Sequence, residues 1–158
     1  MSGRAELIAQ WLEYAAGDLK TAISLRQQEG IPLRNICYMA QQSAEKTMKC
    51  LFVYLGIEVM KSHDLVYLYK KLPDKALTEI ELKDLAWLSY WAVEARYPGD
   101  WPDVDFADAD RATEFAEKLY RNVEKVIEDD QDFRLLMEAK AKATKFNSLQ
   151  EVKKQSPG

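Results

Sequence analysis

Apolar residues in this chain recur every three to four positions over runs far longer than a strand, and that stride constrains the fold more than any other feature. From Arg4 to about Gln28, Leu7, Ile8, Trp11, Leu12, Ala15, Leu19, Ala22 and Ile23 share one helical face, and the run stops at Gly30 and Pro32. A second run, about Arg34 to Leu55, carries Ile36, Ala40, Ala44, Met48, Leu51 and Leu55. Gly56 closes it, as expected of the residue that most easily turns left-handed past a helix end. Together they predict an antiparallel helical hairpin.

A short third helix is expected from Ser62, whose side chain can cap it, through Leu72 to Pro73. A fourth opens with a capping box, Thr78 with Glu81, and continues to about Arg96. Its middle, AWLSYWAV (Ala86 to Val93), has Ser89 as its only clearly polar residue, which predicts a helix covered on more than one side, either inside the bundle or in a subunit interface through Trp87, Tyr90 and Trp91. A fifth helix, with Asp105 as its cap, carries Ala109, Ala112, Phe115, Ala116, Leu119, Val123, Val126 and Ile127. No period-2 alternation competes. The fold class is all-α, an up-and-down bundle of four to five helices over residues 4–130, with a basic, partly disordered or helical tail over 131–158.

Composition excludes several functions. The net charge of −4 gives no basic footprint for indiscriminate nucleic-acid binding. From Gln131 onward six basic residues face three acidic ones, so the tail is +3 and the body −7. No apolar run approaches the roughly 20 residues that span a bilayer, and the start MSGRAELIAQW has no apolar signal core, so a cytoplasmic location is expected. Cys37 and Cys50 lie 13 residues apart in one helical run, about 20 Å of rise, and read as core residues in a reducing compartment. With His63 the only histidine and the six glycines scattered, no metal site, Walker-type loop or dinucleotide fingerprint can be written, and no cofactor is expected.

Two polar clusters remain. In AQQSAEKTMK (Ala40 to Lys49), Gln41, Gln42, Glu45, Lys46 and Lys49 read as a solvated face with Gln42 to Lys46 and Glu45 to Lys49 pairs. The other joins Arg96 to Tyr97, Trp101, Asp100 and Asp103. A planar guanidinium beside aromatic rings suits a phosphate or a stacked base. The same arginine at a helix end also suits the last carbonyls, or an ion pair with Asp100 or Asp103.

Four motifs in order, Trp11/Ala15/Asp18/Leu19/Ala22, then AQQSAEKTMKCL (Ala40 to Leu51), SHDL (Ser62 to Leu65) and ARYP (Ala95 to Pro98), resemble the HEPN domain family over residues 5 to 128. The resemblance implies a small helical bundle, commonly a homodimer, often paired with a minimal nucleotidyltransferase in toxin-antitoxin systems. Active members are metal-independent ribonucleases marked by an arginine and a histidine separated by four to six residues. Carried over, the arginine is Arg96, but Trp101, Pro102 and Asp103 occupy the positions of the histidine. Tryptophan and proline cannot exchange a proton, and an exposed aspartate is ionised at neutral pH.

The resulting expectation is a nucleotide- or RNA-phosphate-binding homodimer, partner of a small nucleotidyltransferase, with ligand contacts from Arg96, Tyr97, Trp101 and Asp103 and impaired catalysis. The alternatives are a divergent metal-independent endoribonuclease using Arg96 and His63, and a purely structural dimerisation module.

Overall fold

The computed structural model describes residues 2–93 and 96–155 and is helical throughout its regular elements. They are α1 (Ser2–Arg26), α2 (Leu33–Leu55), α3 (Leu65–Lys71), α4 (Leu82–Ser89), a 3-10 turn (Tyr90–Ala92), α5 (Phe106–Glu128) and α6 (Gln131–Gln155). The chain divides into two compact units, Met1–Glu124 and Lys125–Gly158.

In the first unit α1 and α2 form the expected hairpin, and their interface is extensive. Ala5, Ile8, Ala15, Leu19 and Ala22 of α1 are buried, and small residues at Ala15 and Ala22 let the backbones approach. Gly56 ends α2 at φ 71° with its N–H on the carbonyls of Phe52 and Val53. From the far end of α1, Arg4 donates its Nε to the Val53 carbonyl at 3.1 Å and an Nη to the Tyr54 carbonyl.

The polar side of α2 is not solvated as its sequence suggests. Gln41, Ser43, Glu45 and Thr47 are buried together with Ile36, Ala40, Met48 and Leu51, because α1 covers one side of α2 while α3, α4 and the 3-10 turn pack elsewhere along it. Each polar group finds a partner, which makes its burial tolerable. Ser43 Oγ donates to the Ala15 carbonyl at 2.8 Å, and Thr47 Oγ1 donates to the Ser43 carbonyl at 2.8 Å. Lys46 does not pair with Gln42 but reaches Asp18 on α1 at 2.5 Å, while Gln42 donates to Gln41 at 2.6 Å. The Glu45 to Lys49 pair forms as expected, at 2.7 Å.

The short helices start and stop differently from expectation. Asp64, not Ser62, caps α3, accepting from the amides of Val66 and Tyr67 at 2.9 and 3.2 Å, and Ser89 Oγ takes the Leu65 amide at 2.6 Å. Ser62 instead accepts from the Asp64 amide at 3.1 Å. No Thr78/Glu81 box opens α4: it begins at Leu82 without a side-chain cap, and the Thr78 carbonyl is taken by Asn122 Nδ2 of α5 at 2.7 Å. The α-helix stops at Ser89 and tightens into the 3-10 turn, well before Arg96.

α5 opens on a reciprocal pair, the Asp108 amide to Asp105 Oδ1 at 2.8 Å and the Asp105 amide to Asp108 Oδ2 at 3.2 Å. Its Ala109, Ala112, Phe115, Ala116, Leu119 and Val123 are buried. Arg26 ties α1 to α5 through a two-point pair with Asp110 at 2.6 and 3.1 Å, which lowers the Asp110 carboxyl from its ordinary range.

In the second unit α6 begins where Asp130 Oδ1 accepts from the Phe133 amide at 3.1 Å. Leu135, Leu136 and Val152 on this helix are exposed. Among the described residues no helix is long and apolar enough to cross a membrane.

Candidate functional site

The loop after the 3-10 turn builds the site. Breaking the α-helix at Ser89 lets the chain fold back, so that Arg96, Tyr97, Trp101 and Asp103 line one open cleft of about 650 Å³ together with Trp91 and Arg34. The Arg96 amide donates to the Val93 carbonyl at 3.2 Å, and its guanidinium makes a long contact, 3.5 Å, to the Ala92 carbonyl. That contact is a remnant of the helix-capping role. The guanidinium carbon lies 5.2 Å from the ring centre of Tyr38 on α2 and 5.5 Å from that of Tyr97, and Nη2 reaches the Tyr97 hydroxyl at 3.3 Å. Among the described residues Arg96 makes no ion pair, with Asp100, Asp103 or any other acid.

Trp101 is held by its own loop. Its Nε1 donates to the Tyr97 carbonyl at 2.6 Å, and its ring meets Tyr90 edge to face at 5.9 Å. Gly99 is what permits this closure: a Cβ there would stand 2.8 Å from Nε1, inside contact distance. The indole is 42% exposed, leaving aromatic surface at the cleft. Of the three positions, 101 to 103, at which the resemblance would place a histidine, the first carries this anchored indole.

The three aromatic residues read as an interface cluster contact one another and α5. Trp91 is buried and packs edge to face on both Trp87 (6.1 Å) and Tyr90 (5.2 Å), and Arg111 of α5 stacks over Trp87 at 4.0 Å. Arg111 also pairs with Asp84 at 3.1 Å.

His63 lies elsewhere, on the loop ahead of α3, and lines a second groove of about 420 Å³ with Asp64, Ser89, Tyr90 and Ala92. Its Nδ1 is 3.0 Å from Glu45 Oε2, and Glu45 also accepts from Lys49 at 2.7 Å. Gln41 supports the same arrangement, donating from Nε2 to the His63 carbonyl at 3.2 Å. A buried carboxylate thus holds a largely exposed imidazole through its Nδ1. Nothing in the local sequence marks Glu45 as buried or places His63 against it; both follow from the helices that cover α2.

Burial pushes both cysteine thiols up to about 12, so neither is a nucleophile. Among the described residues no cluster of metal-ligating side chains occurs.

The sequence profile of the HEPN domain family matches residues 8–127, the span that holds the hairpin, the Arg96 loop and His63. The chain belongs to the HEPN domain family. Two solved structures share its fold. TT1696 from Thermus thermophilus is 25% identical, with 75% of this chain and 96% of that one covered at a TM-score of 0.63. ST0689, an archaeal HEPN homologue, is 24% identical, with 75% and 95% covered at a TM-score of 0.58. No curated protein sequence is significantly similar to this one. The matched HEPN span ends within α5, and α6 lies beyond it.

Proposed function

We propose that this HEPN protein binds nucleotides or RNA through their phosphate groups in the Arg96 cleft, as a homodimer in the cytoplasm and as the partner of a small nucleotidyltransferase in a toxin-antitoxin pair. The observation that carries the reading is a guanidinium without a carboxylate partner among the described residues, flanked by Tyr38 and Tyr97. An arginine retained in that state supplies paired donors to phosphate oxygens, and the exposed Trp101 ring offers a stacking surface for a base. That none of positions 101, 102 and 103 is a histidine, the first being filled by the anchored indole, supports binding without cleavage. Arg96→Ala is expected to keep its fold and lose nucleotide-induced thermal stabilisation. An undiminished response in that variant, or none in the wild type, defeats the reading. Light scattering tests the dimer, and copurification with a co-expressed nucleotidyltransferase tests the pairing.

A second reading, a divergent metal-independent ribonuclease, is favoured by one observation: the Glu45-held imidazole of His63. In that reading His63 Nε2 accepts the ribose 2′-hydroxyl proton while the 2′-oxygen attacks phosphorus, and the 5′-oxygen leaves with a proton from water. RNA cleavage in excess chelator, abolished by His63→Ala, would establish it. Intact RNA retires it.

A further inference from the structure

We infer that Asp103 reads the base of the nucleotide held in the Arg96 cleft and selects guanine, so that the ligand is a guanine nucleotide. The inference rests on the reading of the Arg96 cleft as a phosphate site and adds a base to it. Of the three aspartates on the loop ahead of α5, Asp100, Asp103 and Asp105, Asp103 alone lines the cleft among the described residues. Its carboxylate is exposed and has no hydrogen bond or ion pair among the described residues. Asp105 is occupied instead, its Oδ1 accepting from the Asp108 amide at 2.8 Å. An unpaired carboxylate in a phosphate-binding cleft repels the phosphate, and it works against binding unless the ligand brings donors to it.

The other polar side chains of the cleft leave that task to Asp103. Arg34 and Arg96 can only donate. Trp101 spends its Nε1 proton on the Tyr97 carbonyl at 2.6 Å, so its ring offers a base a face to stack on and no edge to read it with. The Tyr97 hydroxyl oxygen already accepts from Arg96 Nη2 at 3.3 Å. Asp103 therefore supplies the side-chain acceptors, two oxygens in one plane. Guanine is the base that matches them: its N1–H and its 2-amino group are adjacent donors on one edge, spaced for the kind of two-point contact a guanidinium makes with a carboxylate. Adenine and cytosine each set a ring-nitrogen lone pair beside their amine, and uracil sets its N–H between two carbonyls, so each turns an acceptor toward the carboxylate. The loop also holds Asp103 in place. On one side Trp101 is tied to Tyr97 and Pro102 has its φ fixed by its ring; on the other Asp105 caps α5.

The test is calorimetric titration of the full chain with GMP, IMP and AMP, IMP lacking the 2-amino group. Wild type is expected to bind GMP about tenfold more tightly than AMP, with IMP between them. Asp103→Asn keeps the shape of an exposed side chain and exchanges one acceptor oxygen for an amide donor. GMP affinity should then fall about tenfold while AMP affinity holds or rises. If all three nucleotides bind the variant more tightly, the carboxylate acts only by repelling phosphate and the inference is overturned. Equal GMP and AMP affinities in wild type, or a guanine preference that survives Asp103→Asn, also overturn it, and they leave the Arg96 reading standing if Arg96→Ala loses the nucleotides. GMP binding that is undiminished in Arg96→Ala, with a guanine preference that disappears in Asp103→Asn, supports the base readout and defeats the phosphate reading. Binding of none of the three by wild type overturns both.

Discussion

His63 Nδ1 stands 3.0 Å from Glu45 Oε2, yet the two residues have opposite exposures: the imidazole side chain is 68% accessible and the carboxylate 7%. The carboxylate is the structural half of the pair. Glu45→Ala strands the Lys49 ammonium, itself 12% exposed, without its partner and is expected to cost about 3–5 kcal/mol. His63→Ala removes an exposed ring and is expected to stay within about 0.5 kcal/mol of wild type. Urea denaturation of both variants measures the difference; equal losses would mean that the imidazole, too, is part of the core.

The Arg96 loop depends on a missing methyl group. Gly99→Ala forces a Cβ to within 2.8 Å of Trp101 Nε1, and the clashing atom belongs to a side chain that can swing away. The fold should persist while the bond from Nε1 to the Tyr97 carbonyl is lost. The expected result is a shifted Trp101 indole N–H resonance, assigned with Trp101→Phe, and nucleotide affinity reduced by about threefold or more as the stacking surface moves. An unmoved resonance would contradict the geometry.

The cysteines set an alkaline limit. Burial raises both thiols from an ordinary 9.0 to about 12, so the folded state favours the neutral form. Their contribution to stability is fully present below pH 9.0 and is lost as pH rises toward about 12, because the unfolded chain deprotonates first. Thermal melts from about pH 8 to about pH 11 should show a falling midpoint, less steep in Cys50→Ala after correction for its lower starting stability. Thiol reagents at about pH 8 should modify the native protein far more slowly than the protein in guanidinium.

At acid pH the relevant pair is Arg26 with Asp110. The guanidinium lowers the Asp110 carboxyl below its ordinary 3.8, so the pair's contribution is present above that value and disappears as pH falls through the lowered one. Both groups lie at the surface, and the effect should be small and weakened by salt. Asp110→Asn should flatten the melting midpoint against pH below about 4; an unchanged slope would assign acid unfolding to other carboxylates.

Much of this fold could be read from stride alone. The hairpin and α5 emerged because Leu19, Ala22, Leu51, Ala112 and Leu119 recur on single faces long enough for the period to be unmistakable. The end of α4 was hidden because AWLSYWAV is apolar enough to continue as a helix; what stops it is the tight turn at Tyr90 to Ala92, a tertiary choice. The polar side of α2 was misread for a related reason. Periodicity marks an apolar stripe, but whether Glu45 and Gln41 meet water depends on the helices that cover them, and the Glu45 partners Lys49 and His63 are 4 and 18 residues away in sequence. Within the site, Arg96, Tyr97, Trp101 and Asp103 were picked out from one contiguous stretch. Arg34 lies outside that stretch, and only the fold brings it to the same cleft from α2.

Arg4 meets the end of α2 across 49 positions of sequence. Its guanidinium, laid over the last carbonyls of that helix, is a clasp that turns the whole hairpin into a closed ring without a covalent bond. Tension applied at the amino terminus must open this clasp before it can peel α1 from α2, so the first turn of the chain acts as the latch on the interface between them.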